Sequence, residues 1–255
     1  MLAAAAVIGL LWTAYAGSDR PNASTARVDY ASLPSAPSPA LRMGRPEQLG
    51  SSRFVSRWTT VRAPALARAL PSVSAPVAAE LATRTADGTA SALTVLRSKT
   101  DARGGVWVEV RLPVLPNGKT GWVRRRFLGP YHVVDTRLVV DRERLRATLY
   151  RSGRAIFTAP VGVGTDSWAT PAGEFTVRNE LTRYASPFYG PIAFGTTARS
   201  PVLTDWPGGG FVGIHGTNAP KLVPGRISHG CIRMRNPDIL RLARLLPIGT
   251  PLTIR

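Results

Sequence analysis

Three residues near the C-terminal end of the chain have the chemistry of a nucleophilic active site. Cys231 is the only cysteine among 255 residues, and it lies in the run Ser228-His229-Gly230-Cys231-Ile232-Arg233. Two of the three histidines, His215 and His229, lie within sixteen positions of it. A thiol needs a base to become a useful nucleophile, and imidazole is suited to that task near neutral pH. The pattern therefore predicts a cysteine nucleophile activated by a histidine.

The spacing of these residues predicts how they are placed. Residues 211–214 predict a strand that delivers His215 at its end, and a turn-rich loop of fifteen residues then leads to Cys231. Gly230 permits an unusual backbone angle and close approach of a substrate carbonyl, so nearby backbone N–H groups could form an oxyanion hole. Arg233 follows the cysteine by two positions in an extended run. We expect it on the same face, where it could bind a substrate carboxylate.

At these residues the chain resembles a known family. Gly213-Ile214-His215-Gly216-Thr217, followed by Ser228-His229-Gly230-Cys231-Ile232-Arg233-Met234, is similar to the signature of the L,D-transpeptidases, which have a YkuD-type catalytic domain. Many members carry asparagine at the position of Arg233. The resemblance covers about 134–255, and further family-like segments are 159–164, 170–175, 189–191 and 249–251.

The resemblance implies a reaction. Cys231 would attack the carbonyl of the third residue of a peptidoglycan stem peptide, a diamino acid, and expel the terminal D-alanine to leave a thioester. His215 would be the base, oriented by the backbone carbonyl of Gly216. The side-chain amine of another stem would take the acyl group and cross-link the cell wall. With water as acceptor the enzyme would be an L,D-carboxypeptidase. The resemblance also implies acylation by carbapenems, and it implies neither a metal nor an organic cofactor.

Five further residues are expected to form the substrate-binding and oxyanion surface: Gly230, His229, Arg233, Ser228 and Tyr189. We expect His229 to shape the pocket without transferring protons. We expect Ser228 to be a structural hydrogen-bonding residue rather than a nucleophile, and Tyr189 to be an aromatic residue of the core or the rim rather than a platform for substrate.

The residues alone leave three other classes of protein open. His215, His229 and Cys231 could be zinc ligands, although His229 and Cys231 are only two positions apart. A papain-like or NlpC-type cysteine peptidase also pairs cysteine with histidine, but there the cysteine normally precedes the histidine. A non-catalytic wall-binding protein would use a basic surface, yet binding alone does not require a reactive thiol.

Most of the elements that must carry this site are strands. Apolar and β-branched runs bounded by turn residues predict strands at 93–97, 106–112, 120–123, 137–141, 146–150, 155–158, 174–177, 211–214 and 252–254. We therefore expect a mainly β fold: an L,D-transpeptidase-type β-sandwich with one clear helix near the C-terminus, preceded by a small β-barrel module.

The one helix is well signalled. Asn236 can cap it, and Pro237 suits its first turn. Its apolar face would then consist of Ile239, Leu242, Ala243 and Leu246.

Three segments are expected ahead of a catalytic domain at 131–255. Residues 1–16 are apolar and predict a signal peptide or a membrane anchor. Residues 17–90 are rich in Pro, Ala and Ser and predict a linker, in which 65–70 and 77–81 could be short helical pieces. Residues 91–130 predict the small β-barrel.

The module at 91–130 has two signals of its own. Asn117-Gly118 suits the positive φ angles of a hairpin turn. Gly121-Trp122-Val123 after that turn resembles bacterial Src-homology-3-like modules, which often bind cell-wall peptides. A module that only braces the next domain is the alternative.

The net charge is the extreme feature of the composition. The chain has 33 Lys and Arg against 15 Asp and Glu, a formal charge of +18. Such a surface attracts polyanions, and we expect anionic cell-wall polymers as partners. Apart from Arg124-Arg125-Arg126 the positive charges are dispersed, and without an accompanying motif no nucleic-acid partner is predicted. The N-terminal segment predicts an extracytoplasmic protein, secreted or membrane-anchored at the cell wall, that meets the membrane only through an uncleaved anchor.

Overall fold

The structure, a computed structural model, describes residues 47–49, 54–182, 187–203 and 210–255. These residues form two β-sheets, and each sheet has a hydrophobic cluster of its own. The expected signal or anchor segment at 1–16 and most of the expected linker before residue 54 lie outside the described residues. None of the helices within the described ranges has the length and apolar character needed to cross a bilayer.

The first sheet has eight strands, and we call residues 47–49 and 54–134 the N-terminal module. Its order is β4-β3-β7-β6-β5-β2-β8, and β1 also pairs with β5. The core of the module consists of small and branched apolar side chains from 61–128. The strands are β1 (Glu47–Gln48), β2 (Ser56–Thr60), β3 (Ala65–Arg68), β4 (Val77–Leu81), β5 (Ala92–Thr100), β6 (Val106–Arg111), β7 (Thr120–Arg124) and β8 (His132–Val134).

The prediction of a linker at 17–90 is wrong for 56–90, and the helical pieces proposed there are strands. Alanine has the highest intrinsic helix propensity, and tertiary packing overrides that preference here. Ala65 and Ala67 are buried while Leu66 between them is exposed, which is the alternation of a half-buried strand. Ala67 packs close to Gly121 of β7, where an added Cβ would lie 3.1 Å from the alanine Cβ.

The N-terminal module therefore includes β1 to β4, ahead of the expected start at residue 91, and it extends through β8 to residue 134 rather than ending at 130. Strand pairing runs from β4 through to β8, and no ladder joins these two outer strands within the described chain. The closed barrel and the likeness to Src-homology-3 modules stay predictions.

The second sheet has ten strands, and we call residues 135–255 the C-terminal domain. Its order is β11-β10-β9-β18-β13-β14-β15-β17-β12-β16. Most predicted strands of this domain are present within a few residues of their expected bounds. The strands are β9 (Thr136–Asp141), β10 (Arg146–Arg151), β11 (Arg154–Pro160), β12 (Gly162–Gly164), β13 (Gly173–Leu181), β14 (Ala193–Arg199), β15 (Phe211–His215), β16 (Gly225–Ser228), β17 (Ile232–Arg233) and β18 (Pro251–Ile254).

Strand β13 links the two halves of this sheet. Its residues 173–176 pair with β18, and its residues 177–181 pair with β14. Side chains from both halves meet in one hydrophobic cluster, which includes Leu138 and Leu149 from one half and Phe194 and Ile214 from the other. The two halves thus pack face to face, and the expected mainly β sandwich is confirmed.

Helix α1 (Asn236–Ala243) is the predicted helix near the C-terminus. Ile239 and Leu242 are fully buried on its inner face, and Leu246 is buried just after its end. The prediction that Asn236 caps the helix is wrong. Arg235 occupies the cap position, and the Asn236 Oδ1 instead accepts the backbone N–H of Thr217 at 2.9 Å, so it anchors the loop after β15.

A tryptophan of the N-terminal module packs against a glycine of the C-terminal domain. Gly249 precedes β18 with a φ of 85°, and an added Cβ there would lie 2.0 Å from Cδ1 of Trp58 on β2. The Trp58 ring also stacks on His132, with the ring centroids 4.4 Å apart. The contact joins the two parts of the described chain directly.

We predict that Gly249→Ala destabilises the protein much more than Gly118→Ala. Both glycines have positive φ, but the space around Gly118 is open. The left-handed backbone alone costs an alanine about 1–2 kcal/mol. At Gly249 the overlap with Trp58 adds about 1–3 kcal/mol. Urea denaturation of both variants measures the difference, and equal losses of unfolding free energy would contradict the packing described for Trp58.

Candidate active site

Parallel pairing of β15 with β17 brings the cysteine and histidine together. Ile214 is the register partner of Ile232, and both side chains are fully buried. In this register Cys231, one residue before β17, lies beside Gly213 of β15. A Cβ added to Gly213 would lie 3.9 Å from the Cys231 Sγ and 3.9 Å from the His215 Cδ2. The thiol and the imidazole therefore converge on the space that the missing side chain of Gly213 leaves open.

His215 is buried and held by a backbone carbonyl. Its Nδ1 lies 2.6 Å from the carbonyl oxygen of Gly216. Because a carbonyl oxygen can only accept a hydrogen bond, Nδ1 carries the proton, and Nε2 is the basic nitrogen. The Tyr189 ring meets the imidazole edge-on with centroids 4.7 Å apart. Burial lowers the pKa of His215 to about 4, the nearby charge of Arg233 also lowers it, and the Gly216 bond opposes them.

Close backbone packing fixes the carbonyl that orients His215. A Cβ added to Gly216 would lie 2.4 Å from the Asn236 Oδ1 and 3.0 Å from the Gly190 Cα. Gly190 has a φ of 68°, so a side chain there would be strained as well. Only glycines fit this crossing of two backbone segments, and the carbonyl of Gly216 has little freedom to move.

Cys231 is partly exposed, and its sulfur faces protein on most sides. The Gly213 N–H donates to its Sγ at 3.4 Å. Burial raises the pKa of the Cys231 thiol, and this effect outweighs the Gly213 bond and the Arg233 charge, both of which lower that pKa. With the His215 pKa lowered as well, the resting pair at neutral pH is a thiol beside a neutral imidazole.

A hydrogen-bonded turn positions the cysteine. The Ser228 Oγ donates to the Cys231 carbonyl at 2.5 Å and accepts the Gly230 N–H at 3.1 Å. Gly230 has a φ of 113°, which matches the unusual backbone angle expected there, and its carbonyl accepts the Thr170 hydroxyl at 2.8 Å. Both hydrogen-bonding roles of the Ser228 hydroxyl are therefore occupied within the turn. The Gly230 N–H is likewise occupied, so this group is not an available oxyanion donor.

Arg233 is a buried cation next to the thiol. It is 8% exposed, and its guanidinium carbon lies 4.5 Å from the centroid of the Phe188 ring. Burial lowers its pKa, yet a guanidinium stays charged at neutral pH. Among the described residues no carboxylate forms an ion pair with Arg233, and its buried Nε has no hydrogen-bond acceptor. The arginine is therefore available to an anion in the pocket.

One pocket of about 120 Å³ unites the site. Of the predicted residues, His215, His229, Cys231, Arg233 and Tyr189 line it. Gly216, Ser228 and Gly230 are not among its lining residues, and their hydrogen bonds hold His215 and the backbone around Cys231. Within the described ranges no three His, Cys, Asp or Glu side chains cluster as metal ligands.

Sequence reasoning missed several residues of the site. Phe188 and Phe211 form part of the pocket wall. Trp168 packs on the exposed His229 with the ring centroids 4.3 Å apart. Gly213 is the first residue of the Gly213-Ile214-His215-Gly216-Thr217 motif, and its place in that motif is the sequence signal that could have identified it. Nothing in the sequence pattern points to Phe211 or Trp168.

We predict that His215 makes the fold acid-sensitive between pH 6.5 and 4. Its pKa is about 4 in the folded protein against 6.5 when unperturbed, so in this window only the unfolded chain takes up the proton. Stability is therefore fully present above pH 6.5 and falls as pH drops towards 4, by about 3 kcal/mol. Urea denaturation across this range measures the loss. His215→Gln should lack it, and a variant with the wild-type pH dependence would contradict the burial effect.

The comparisons with known proteins agree with the motif. The family model of the L,D-transpeptidase catalytic domain, YkuD, matches residues 135–254. The Bacillus licheniformis protein named as L,D-transpeptidase YkuD is 34% identical over 121 residues, which are 48% of this chain and 66% of that protein. The chain thus spans just under two thirds of that relative.

Two further proteins are similar to this chain. The Bacillus subtilis protein named as L,D-transpeptidase YqjB is 30% identical over 133 residues, which cover 49% of this chain and 70% of that protein. The solved catalytic domain of an E. faecium L,D-transpeptidase shares 24% identity, covers 48% of this chain and 97% of that chain, and has a TM-score of 0.36. On the sequence matches, the chain belongs to the L,D-transpeptidase family with the YkuD-type catalytic domain.

Proposed function

We propose that the chain is a peptidoglycan L,D-transpeptidase in which Cys231 is the nucleophile and His215 is the general base. The observation that carries the proposal is the convergence of the thiol and the imidazole beside Gly213. The bond from His215 Nδ1 to Gly216 supports it, because it leaves Nε2 as the basic nitrogen. Membership of the family supports the reaction type.

The first half of the reaction makes a thioester. The proton of the Cys231 thiol passes to the His215 Nε2 as the sulfur bonds to the carbonyl carbon of the diamino acid in a stem peptide. The tetrahedral intermediate then collapses and breaks the bond to the terminal D-alanine, whose nitrogen takes the proton from the imidazolium. The products are free D-alanine and an acyl-enzyme.

The second half transfers the acyl group to an amine. The side-chain amine of another stem attacks the thioester carbon and gives a proton to His215. The C–S bond then breaks, and the sulfur takes that proton from the imidazolium, which restores the thiol and the neutral imidazole. The new bond is an amide, which links the third residues of two stems. If water attacks instead, the product is a carboxylic acid, and the net reaction is that of a carboxypeptidase.

The neutral resting pair suits this sequence of steps. Burial makes a separated thiolate and imidazolium costly before the substrate arrives. Proton transfer is therefore coupled to the attack on the carbonyl, when the negative charge moves from sulfur to the oxyanion. The cation of Arg233 favours both negative species because it lies in the same pocket.

Arg233 also has the chemistry to recognise a substrate carboxylate. A buried guanidinium with no ion-pair partner in the described chain forms strong, directional bonds to a carboxylate. Stem peptides carry a carboxylate at the terminal D-alanine, close to the bond that breaks. We assign Arg233 to that group.

The proposed location is extracytoplasmic, at the cell wall. Arg137, Arg146 and Arg154 are exposed on the neighbouring strands β9, β10 and β11. Such a face would attract anionic wall polymers in a salt-sensitive way. Carbapenems are the proposed inhibitors, since they offer a strained acyl group to the same thiol.

We predict that a carbapenem acylates Cys231. Intact-protein mass spectrometry of the full chain should show a stable adduct that is absent from Cys231→Ala. His215→Ala should form it about 100- to 10,000-fold more slowly, because the general base is lost. Glu143→Ala, which removes an exposed side chain that does not line the pocket, should match the wild type. An adduct on Cys231→Ala, or none on the folded, reduced wild type, would contradict the mechanism.

A disaccharide tetrapeptide then separates transfer from hydrolysis. We expect a cross-linked dimer and released D-alanine from the wild type. If the products are the tripeptide and D-alanine without any dimer, the chain is an L,D-carboxypeptidase rather than a transpeptidase.

We predict that Arg233→Gln removes discrimination between a tetrapeptide and its C-terminal amide. In the wild type, the ion pair between Arg233 and the substrate carboxylate should make kcat/KM about 10- to 100-fold higher for the free acid than for the amide. A hydrogen bond to a charged group contributes about 1.5–3 kcal/mol. Arg233→Lys should keep part of the preference. If the wild type turns over the acid and the amide equally well, the carboxylate role of Arg233 is wrong.

A further inference from the structure

We infer that the N-terminal module is a positioning element of the active site. Two of its turns hold the strands β13 and β14 against Phe211, which begins the strand that carries both Gly213 and His215. This positioning acts on the geometry of the thiol and does not depend on the acyl acceptor.

The first turn is a hairpin at 84–90 with Asp87 near its tip. An isolated β-bridge joins Arg84 to Ala90, and the Thr85 N–H donates to the Thr89 carbonyl at 2.9 Å. The hairpin is therefore ordered by its own backbone. Its Asp87 Oδ2 accepts a hydrogen bond from Arg178 of β13 at 3.2 Å.

Asn179, the next residue of β13, reinforces this contact. Its Nδ2 lies 3.3 Å from the Asp87 Oδ2 and 2.8 Å from the Thr89 Oγ1. Two successive side chains of the C-terminal domain thus bind one hairpin of the N-terminal module.

Arg178 transmits the contact to the pocket wall. It is 7% exposed, and its guanidinium carbon lies 3.8 Å from the centroid of the Phe211 ring. The guanidinium carbon of Arg199 lies 4.9 Å from the same centroid. Two cations thus share one ring, and the carboxylate of Asp87 offsets their repulsion. Without that charge, a buried guanidinium would lose its ion-pair partner beside a like charge.

The second turn fixes the end of β14. The Asn117 Nδ2 donates to the Arg199 carbonyl at 2.7 Å, and the Arg199 N–H donates to the Asn117 Oδ1 at 3.0 Å. The side-chain amide of Asn117 thus donates one hydrogen bond to the Arg199 backbone and accepts one from it, as a residue of a paired strand would. The next residue, Ser200, lines the pocket, and its N–H donates to the Gly210 carbonyl just before Phe211.

Phe211 connects both turns to the thiol. It lines the pocket with Cys231 and begins β15. Two residues later the Gly213 N–H donates to the Cys231 Sγ. A shift at Phe211 therefore weakens a hydrogen bond that stabilises the thiolate. Asp87 and Asn117 act through these residues and touch no substrate, so they are positioning residues.

The test measures the alkylation of Cys231 by iodoacetamide as a function of pH. The full chain has one cysteine, so intact mass counts the reaction at that site alone. Asp87→Asn keeps the size of the side chain and removes its charge. We expect the midpoint of its pH–rate profile to rise by about half a unit or more, and the rate below the midpoint to fall about threefold or more. Asp87→Glu should restore most of the wild-type profile.

Asp135→Asn is the matched control, because it breaks another carboxylate–arginine pair, with Arg151, away from the pocket. It should keep the wild-type profile. Asn117→Ala should shift the midpoint in the same direction as Asp87→Asn. If Asp87→Asn does not fold, Asn117→Ala is the variant that tests the proposal. In a Phe211→Leu background, adding Asp87→Asn should change the alkylation rate by less than a further twofold.

An unchanged midpoint in folded Asp87→Asn and Asn117→Ala would overturn the inference, whether or not the rate changes. A shift of the midpoint by Asp87→Asn that is as large in the Phe211→Leu background as in the wild type would overturn it too. The assay needs only a reactive thiol, so failure of carbapenem acylation would count against the proposed function and leave this result standing.

Discussion

The parallel pairing of β15 with β17 sets the geometry of the entire site. With Ile214 opposite Ile232, the cysteine before β17 comes to lie beside Gly213, on the side where His215 also projects. A slip of one residue would turn Cys231 to the other face of the sheet and bury a different set of side chains. The two fully buried isoleucines make such a slip costly, so the hydrophobic core enforces the register on which the chemistry depends.

Burial decides the electrostatics of this pair. It raises the pKa of Cys231 and lowers that of His215, and the opposing hydrogen bonds from Gly213 and to Gly216 do not reverse either effect. The reactive pair of Cys231 and His215 therefore rests uncharged beside the cation of Arg233. A protonated thiol is a poor target for oxidants, which would suit a lone cysteine at the proposed extracytoplasmic location. Reactivity then depends on the substrate, whose carbonyl receives the charge that the pocket disfavours on sulfur.

The sequence was sufficient for the parts of the fold that follow from local pattern and for the reactive pair. Strands β5, β6, β7 and β15 were expected near their observed bounds, because apolar and β-branched runs favour strands wherever they pack. The alanine-rich strands β3 and β4 were missed, since only their packing against β7 makes them strands. Asn236 was misassigned for a similar reason: its partner, Thr217, lies nineteen positions away. The contact of Asp87 with Arg178 spans 91 positions and has no local signal at all.

The most direct test of this account is the nitrogen NMR spectrum of the His215 imidazole in the free protein from pH 3 to 8. We expect a neutral ring with the proton on Nδ1 throughout the neutral range, and protonation only near pH 4. We expect the same tautomer in Cys231→Ala, because the Gly216 carbonyl sets it. An imidazolium at pH 7, or a proton on Nε2 with Nδ1 free, would contradict the neutral pair and the mechanism built on it.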